Sequence, residues 1–205
     1  MNIITIEQAV DKETSVLKKI AEKITFPLSQ EDKYLIGKME KILYELEGVG
    51  LAAPQVGVAK RIALVYIPES ASLLRENATV QPMHVIINPE YWPNKDSVTK
   101  QDFEACYSVD TVAGKVPRSY SIRVKYQNEE GATIDKIVDG FYARVLQHEI
   151  DHLNGILITD RLTPECIQGN KKAMLKIRRQ ELSEEKRQQL DGLLKQKGIE
   201  ILDDQ

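Results

Sequence analysis

Apolar residues recur at helical spacing in several parts of the chain. The apolar positions within 35–46 repeat every three or four residues, which predicts a helix with one buried face. Ser29 is a typical N-cap with Asp32 three residues later, and Gly48 follows the pattern as a stop signal. We therefore predict a helix between Ser29 and Gly48.

Three further segments favour helix. A short helical pattern covers 14–24, and a longer one runs from Phe141 to Asn154, where Gly155 ends it. The segment from Pro164 to Lys197 is helix-prone and rich in both charges.

Alternating or continuous apolar runs predict strands between these helices. Arg61–Ile67 is expected to be a buried strand, and Met83–Asn88 is expected to be another strand, ended by Pro89. Apolar residues alternate over 122–126, and after a turn the chain continues into Thr133–Val138, which indicates a hairpin.

The order of these elements predicts the fold class. Helices and strands do not alternate as βαβ units, so we expect an α+β fold. The expected architecture is a single domain over 1–205, with antiparallel or mixed strands packed around the 141–154 helix and with a C-terminal helix. The polar, irregular stretch from Pro68 to Pro82 is predicted to be a surface insertion.

Composition narrows the function classes. The 205 residues suffice for one substantial core, and a net charge of -3 argues against specific nucleic-acid binding. No apolar run is long enough to span a membrane, and the N-terminus lacks the features of a signal or transit peptide. With two cysteines and no such signal, we expect a reducing compartment, the cytoplasm rather than an organelle.

Candidate chemistry lies in the 141–154 helix. His148 and His152 are four residues apart and project from one face, where two imidazoles can hold one divalent ion. Glu149 follows the first histidine and can accept a proton from water activated by that ion. Asp151 is expected either to anchor a ligand imidazole or to lie exposed in solvent.

A catalytic site of this kind needs a third protein ligand. Ile158 stands where one protease class places a third histidine, which argues against that class. Glu165 or Glu181 could serve from downstream, although both lie among other charges. Cys106 is a third candidate, because its polar, tight surroundings are unusual for a merely buried cysteine.

Three separated motifs carry a resemblance to a known family. They are Gly48-Val49-Gly50-Leu51-Ala52-Ala53-Pro54-Gln55, Glu104-Ala105-Cys106-Tyr107-Ser108 and Gln147-His148-Glu149-Ile150-Asp151-His152. In order and spacing, the chain resembles the peptide deformylases, and its insertion is similar to that of the longer deformylase subtype. The resemblance implies a hydrolase that removes the formyl group from the N-terminal formyl-methionine of new polypeptides and releases formate.

The resemblance also implies roles for individual residues. One divalent ion, expected to be Fe²⁺ with Zn²⁺, Ni²⁺ or Co²⁺ as alternatives, would be bound by Cys106, His148 and His152. Water activated by that ion would attack the formyl carbon, with Glu149 as general base and then general acid. The side chain of Gln55 and the backbone N–H of Tyr107 would donate to the developing oxyanion.

Substrate contacts are expected from the first motif and the third. Gly48 and Gly50 would let the backbone approach an extended peptide, which could pair as an added strand. Val49, Leu51 and Val145 are expected to help form the methionine pocket. Formyl-methionyl nascent chains are therefore the expected partners, and the charged C-terminal helix could also assist docking to the ribosome.

Departures from the family pattern lie mainly in the second motif. Ala105 replaces glycine, so a positive φ there would strain the backbone by about 1 kcal/mol. Tyr107 replaces the common leucine and would bring a phenol to the entrance. An arginine common in the family has no counterpart in 111–114. Two alternatives therefore stay open: an endopeptidase with a downstream glutamate ligand, and a protein that binds metal or formyl peptide without turnover.

Overall fold

The computed structural model describes residues 2–9, 11, 15–75, 78–196 and 198. Its α-helices are α1 (Gln30–Glu45), α2 (Glu69–Leu74), α3 (Gly140–Leu153), α4 (Ile158–Arg161), α5 (Lys171–Glu181) and α6 (Glu184–Gln196). Its strands are β1 (Gly50–Ala52), β2 (Ile62–Ile67), β3 (Gln81–Pro93), β4 (Thr99–Cys106), β5 (Val109–Ser119), β6 (Ser121–Gln127), β7 (Thr133–Asp139) and β8 (Gln168–Gly169). Three short 3-10 helices cover Ile6–Gln8, Val16–Lys18 and Ala53–Val56.

Two antiparallel sheets surround α3. One has five strands in the order β1-β2-β3-β6-β7, and the other has three in the order β4-β5-β8. Nearly every side chain of α3 is buried, so the motif helix is the centre of the molecule. The predicted α+β class, with strands packed around this helix and helices at the C-terminal end, is confirmed. The extent of the domain over 1–205 stays a prediction.

Strand β2 shows how the core is divided. Its side chains alternate between faces, so Ile62 and Leu64 pack with α1 while Ala63 and Val65 pack with α3. A strand buried on both faces has a continuous run of apolar residues, and such a run is what predicted a buried strand in this segment.

The predicted α1 is also confirmed. Ser29 and Asp32 form a reciprocal capping box, with Asp32 N donating to Ser29 Oγ at 3.1 Å. The helix ends slightly earlier than predicted, because Glu47 rather than Gly48 adopts a positive φ of 51°. Gly48 N then donates to the carbonyl of Leu43 at 3.2 Å and closes the end of the helix.

The N-terminal segment ties distant parts of the chain together. Ile4 N donates to the carbonyl of Gln55 at 2.9 Å, and Ile6 N donates to that of Ser108 at 3.0 Å. Ala21 N donates to the carbonyl of Leu153 at 2.9 Å, at the end of α3. These bonds join the first motif, the second motif and the motif helix through one segment.

The helix predicted over 14–24 is wrong within its described part. Only Val16–Lys18 is helical, as one 3-10 turn, while Ile20 is exposed. The backbone N–H groups of Ala21 and Glu22 donate to Leu153 and Ala59, so tertiary hydrogen bonds replace those a helix would make. Residue 14 lies outside the described residues.

Strands β3 and β5 also differ from the prediction. Strand β3 continues past Pro89 to Pro93, because its register shifts between Ile87 and Glu90 and leaves room for a residue without an N–H. Strand β5 was not predicted; it pairs along β4 and connects the second motif to Arg118.

The remaining differences concern the insertion and the C-terminal end. The predicted insertion contains the short helix α2 rather than being wholly irregular; its assignment to the longer subtype stays a prediction. The C-terminal segment forms two helices, because Leu182 is extended, and Arg179 pairs with Asp191 across them at 2.7 Å. Lys197 lies outside the described residues. No described helix is long and apolar enough to cross a membrane.

Candidate metal centre and active-site cleft

Two elements bring three ligand-type side chains together. Helix α3 places His148 and His152 one turn apart, with their Nε2 atoms 3.2 Å from each other. The end of β4 places Cys106 Sγ 3.2 Å from the Nε2 atom of His152. The three ligand atoms all lie within 4.8 Å of one another.

The charge state of this cluster fits a divalent cation. Burial lowers the pKa of His148, but hydrogen bonds and charges from Cys106 and Glu104 outweigh it and raise that pKa well above its usual value. Burial and the charge of His148 hold the pKa of His152 well below its usual value. A cation bound by Cys106, His148 and His152 would displace protons from these side chains.

Glu104 fixes the orientation of His148. Its Oε2 atom lies 2.9 Å from Nδ1 of His148, so Nδ1 can carry the proton while Nε2 faces the cluster. Glu104 and Cys106 are both buried, whereas Ala105 between them is exposed. Their spacing of two on a strand could have revealed that they share a face, but no strand was predicted over this segment.

A buried ionic network continues behind Glu104. Arg118 donates to both carboxylate oxygens of Glu104 at 3.0 Å and also bonds Asp151. Arg144 donates to Glu104 at 2.6 Å. Burial raises the pKa of Glu104, but Arg118 and His148 outweigh it and hold that pKa well below its usual range.

Asp151 belongs to this network rather than to solvent. It is buried and accepts from Arg161 at 2.7 Å as well as from Arg118. Nδ1 of His152 has no hydrogen-bond partner in the described part of the chain, so Asp151 does not anchor that imidazole. Both predicted alternatives for Asp151 are therefore wrong.

Glu149 packs against β1 beside the cluster. It is buried, and its Oε2 atom has no hydrogen-bond partner among the described residues. Burial is the main cause that raises the pKa of Glu149 to about 7. Gly50 leaves room for this side chain, because a Cβ at position 50 would overlap the Glu149 carboxylate.

Gln55 is held beside the thiol. Its Oε1 atom accepts from Ala52 N at 2.8 Å, and its Nε2 atom lies 3.7 Å from Cys106 Sγ. The first interaction fixes the orientation of the amide, so that its NH₂ group is directed at the cluster. Ser108 N also donates to Cys106 Sγ, at 3.3 Å.

Tyr107 lies in the tight turn between β4 and β5. Its hydroxyl donates to the carbonyl of Leu46 at 3.0 Å, so its ring spans from this turn to the end of α1 beside Gly48. Ala105 carries no backbone strain, because the described non-glycine residues with positive φ are Glu47 and Asn88. The strain considered for Ala105 is therefore absent.

A cleft of about 340 Å³ opens onto this cluster. It is lined by most of the predicted site residues: Gly48, Val49, Gly50, Gln55, Cys106, Tyr107, Val145, His148 and Glu149. Leu51 does not line it, because its side chain is fully buried in the core beside α1. Glu104, Arg75, Phe141 and Arg144 also line the cleft and were not predicted to do so.

The downstream glutamates lie elsewhere. Glu165 is exposed, and Glu181 accepts from Lys115 at 2.6 Å at the end of α5. Neither belongs to the ligand cluster, which argues against the endopeptidase alternative.

Comparisons with known proteins agree with this geometry. The polypeptide deformylase family model matches residues 3–168. A Rickettsia conorii protein named peptide deformylase 2 is 36% identical over 190 residues, covering 90% of this chain and 91% of that protein. A peptide deformylase of Thermotoga maritima is 37% identical over 149 residues, covering 73% of this chain and 82% of that protein.

Solved structures give the same result. The crystal structure of the Thermotoga maritima deformylase has a TM-score of 0.64 and 33% identity, covering 80% of this chain and 97% of that chain. A class I type b peptide deformylase from Acinetobacter baumannii, with Met-Ala-Ser bound, has a TM-score of 0.67 and 30% identity, covering 79% and 98%. The matched residues include all three motifs, and the chain therefore belongs to the polypeptide deformylase family.

Proposed function

We propose that this protein is a metal-dependent peptide deformylase, which hydrolyses the formyl group from the N-terminal formyl-methionine of new polypeptides and releases formate. One observation carries the proposal. The Cys106–His148–His152 cluster faces a cleft in which a buried carboxylate oxygen of Glu149 has no partner among the residues that the structure describes. A hydrolase needs such an oxygen to accept a proton beside an activated water.

Cys106, His148 and His152 would hold the ion. Fe²⁺ is the proposed native ion, with Zn²⁺, Ni²⁺ or Co²⁺ as alternatives, since a thiolate and two imidazoles suit all four. When bound, the ion would act as a Lewis acid on water and on the formyl carbonyl.

The protein's own groups would complete the reaction. Glu149 would accept a proton at its Oε2 atom and pass it to the amine nitrogen of the leaving peptide. The Nε2 group of Gln55 and the backbone N–H of Tyr107 would donate hydrogen bonds to the formyl oxygen as charge develops on it. Glu104 would keep His148 in its ligand orientation throughout.

The substrate peptide would lie along β1. This strand pairs with β2 on one side and is at the edge of the five-stranded sheet, so its other side can accept an extended peptide. Val49 and Val145 line the cleft near the cluster and would contact the methionine side chain. Gly48 and Gly50 would allow the close approach.

The substrate also suggests where the protein works. Formylated chains are made on ribosomes of the bacterial cytoplasm, which we propose as its location in keeping with its bacterial relatives. The charged helices α5 and α6 would help it to reach chains that emerge from the ribosome.

The test is formate release from formyl-Met-Ala peptide by protein loaded separately with Fe²⁺, Co²⁺, Ni²⁺ or Zn²⁺, the iron form under anaerobic conditions. We expect turnover that is lost on chelation, and that falls about a thousandfold in a Glu149→Ala variant which still binds metal. Binding of Co²⁺ should give a thiolate absorption band that disappears in Cys106→Ser. Formate release no faster than that of the Glu149→Ala variant would reject the proposal and favour binding without turnover.

A further inference from the structure

A second cavity of about 280 Å³ lies beside the active-site cleft. The two share Arg75, Phe141 and Arg144 as lining residues. Arg75 follows α2, whereas Phe141 and Arg144 belong to the first half of α3. A substrate bound in the cleft therefore lies next to the second cavity.

The lining of this cavity has an excess of positive charge. Its charged residues are four cations, Arg75, Lys100, Arg144 and Arg178, and two carboxylates, Asp102 and Glu181. We call it the cationic cavity. Gly140 at the start of α3 also lines it, so the positive end of the helix dipole adds to the field.

The two carboxylates are already engaged. Asp102 accepts from Arg75 at 2.8 Å, and Glu181 accepts from Lys115, which does not line the cavity, at 2.6 Å. Because Glu181 is bonded to a cation outside the cavity, it offsets less of the positive charge inside the cavity. Of the four cations, Arg75 pairs with Asp102 and Arg144 pairs with Glu104.

The other cations are held against aromatic rings. Lys100 Nζ lies 4.3 Å from the Tyr120 ring centre, and the guanidinium carbon of Arg178 lies 5.6 Å from that of Phe103. Burial, followed by the charge of Arg75, lowers the pKa of Arg178 to about 10. A bound anion would offset this repulsion, and a carboxylate matches the planar donor pattern of an arginine.

We propose that the cationic cavity is a subsite for a carboxylate of the substrate, so that the enzyme favours formyl peptides with Asp or Glu close to the formylated end. This inference rests on the proposed function, because a peptide held in the cleft is what delivers the carboxylate. Among the side chains of a peptide, Asp and Glu are the ones that supply it.

The test compares peptides that differ only in charge. A formyl-Met-Ala-Ala-Ala series carries Glu or its isostere Gln at the first, second or third position after the methionine, and kcat/KM is measured from formate release. We expect the Glu peptide to be favoured by about fivefold or more at one of these positions, mainly through KM. The preference should shrink in ~0.5 M salt, which screens the attraction.

Variants locate the effect. Arg178→Gln and Lys100→Gln should each reduce the Glu-to-Gln ratio, and the double variant should bring it close to one. The control is Arg123→Gln, which removes an exposed cation paired with Asp135 on β6 and should keep the ratio. Because the ratio is taken within one variant, a general loss of activity cancels.

Binding provides a readout that does not depend on turnover. Calorimetry with metal-loaded Glu149→Gln protein and the intact formyl peptides should show tighter binding of the Glu peptide, and this difference should be lost in the added Arg178→Gln background. Equal kcat/KM for Glu and Gln at all three positions, or a ratio that survives the double variant, would overturn the inference. Absence of formate from every peptide would instead reject the proposed function, and the calorimetric comparison would still decide the subsite.

Discussion

Two glutamates beside the cysteine–histidine cluster have opposite surroundings. Glu104 is bonded by Arg118, Arg144 and His148, and its pKa is held well below the usual range. Glu149 has a carboxylate oxygen without a partner among the described residues, and burial raises its pKa to about 7. Both residues are buried, so neighbouring charge rather than depth separates them.

This difference assigns a positioning role to Glu104 and a proton-transfer role to Glu149. A carboxylate saturated with cationic donors keeps its charge and its position, so Glu104 can orient His148 but is poorly suited to exchange protons. A buried carboxylate without donors binds a proton more readily, which suits it to acid and base work. The roles of two glutamates at one site can thus be assigned from their hydrogen-bond partners alone.

The largest expected effect comes from replacing Glu104, which supports His148. Glu104→Gln removes the charge that balances Arg118 and Arg144, so we expect unfolding to become easier by about 3 kcal/mol. Metal affinity should fall by about 10- to 100-fold, because His148 loses its anchor. Denaturant unfolding and competition with a chromophoric chelator measure the two effects.

Glu149→Gln is the matched control for that change. It removes one carboxylate charge beside the cluster, and among the described residues no cation forms an ion pair with that carboxylate. Its stability should stay within about 1 kcal/mol of the parent. Equal destabilisation by the two variants would contradict the distinction between the two glutamates.

Gly50→Ala should have an intermediate effect, through the position of Glu149. The added Cβ would lie 2.6 Å from the Glu149 carboxyl carbon, so the carboxylate or β1 must move. We expect kcat to fall by about 10- to 100-fold with unchanged metal content, since small displacements of a catalytic group have costs of this order. Formate release and metal analysis test this.

Gly37→Ala provides the comparison for a glycine without close neighbours. Position 37 lies on α1, and a Cβ there meets nothing within 4 Å. This variant should keep full activity and gain up to about 1 kcal/mol of stability. A loss of activity as large as that of Gly50→Ala would show that crowding of Glu149 is not the cause.

Arg161→Gln should have the smallest effect, because Arg161 lies at the outer end of the buried ionic network. Arg161 is partly exposed, and Asp151 keeps its bond to Arg118 when Arg161 is replaced. We expect a loss of about 0.5 kcal/mol and a metal affinity within about threefold of the parent. A change in affinity as large as that of Glu104→Gln would mean that the network acts as one unit.

Local signals made part of this site predictable from sequence. The spacing of His148 and His152 depends on helix geometry alone, and the capping box of Ser29 and Asp32 is equally local. The hairpin of β6 and β7 also follows from short-range alternation and a turn.

Long-range partners explain what could not be predicted. Arg118 reaches Glu104 and Asp151 only because β4 and β5 pair and α3 packs beside them. Leu51 follows Gly50 directly, yet it faces α1, because successive residues of a strand point to opposite faces. Pro89 was expected to end a strand, but the shift in register beside it lets β3 continue.

The N-terminal segment has a consequence for the order in which the site forms. Ile4 and Ile6 pair with Gln55 and Ser108, contacts that span about 50 and 100 residues of chain, and such contacts form slowly. The histidines of α3 follow later still along the sequence. During synthesis the first residues must therefore wait for most of the chain, so we expect metal uptake to follow translation rather than to accompany it.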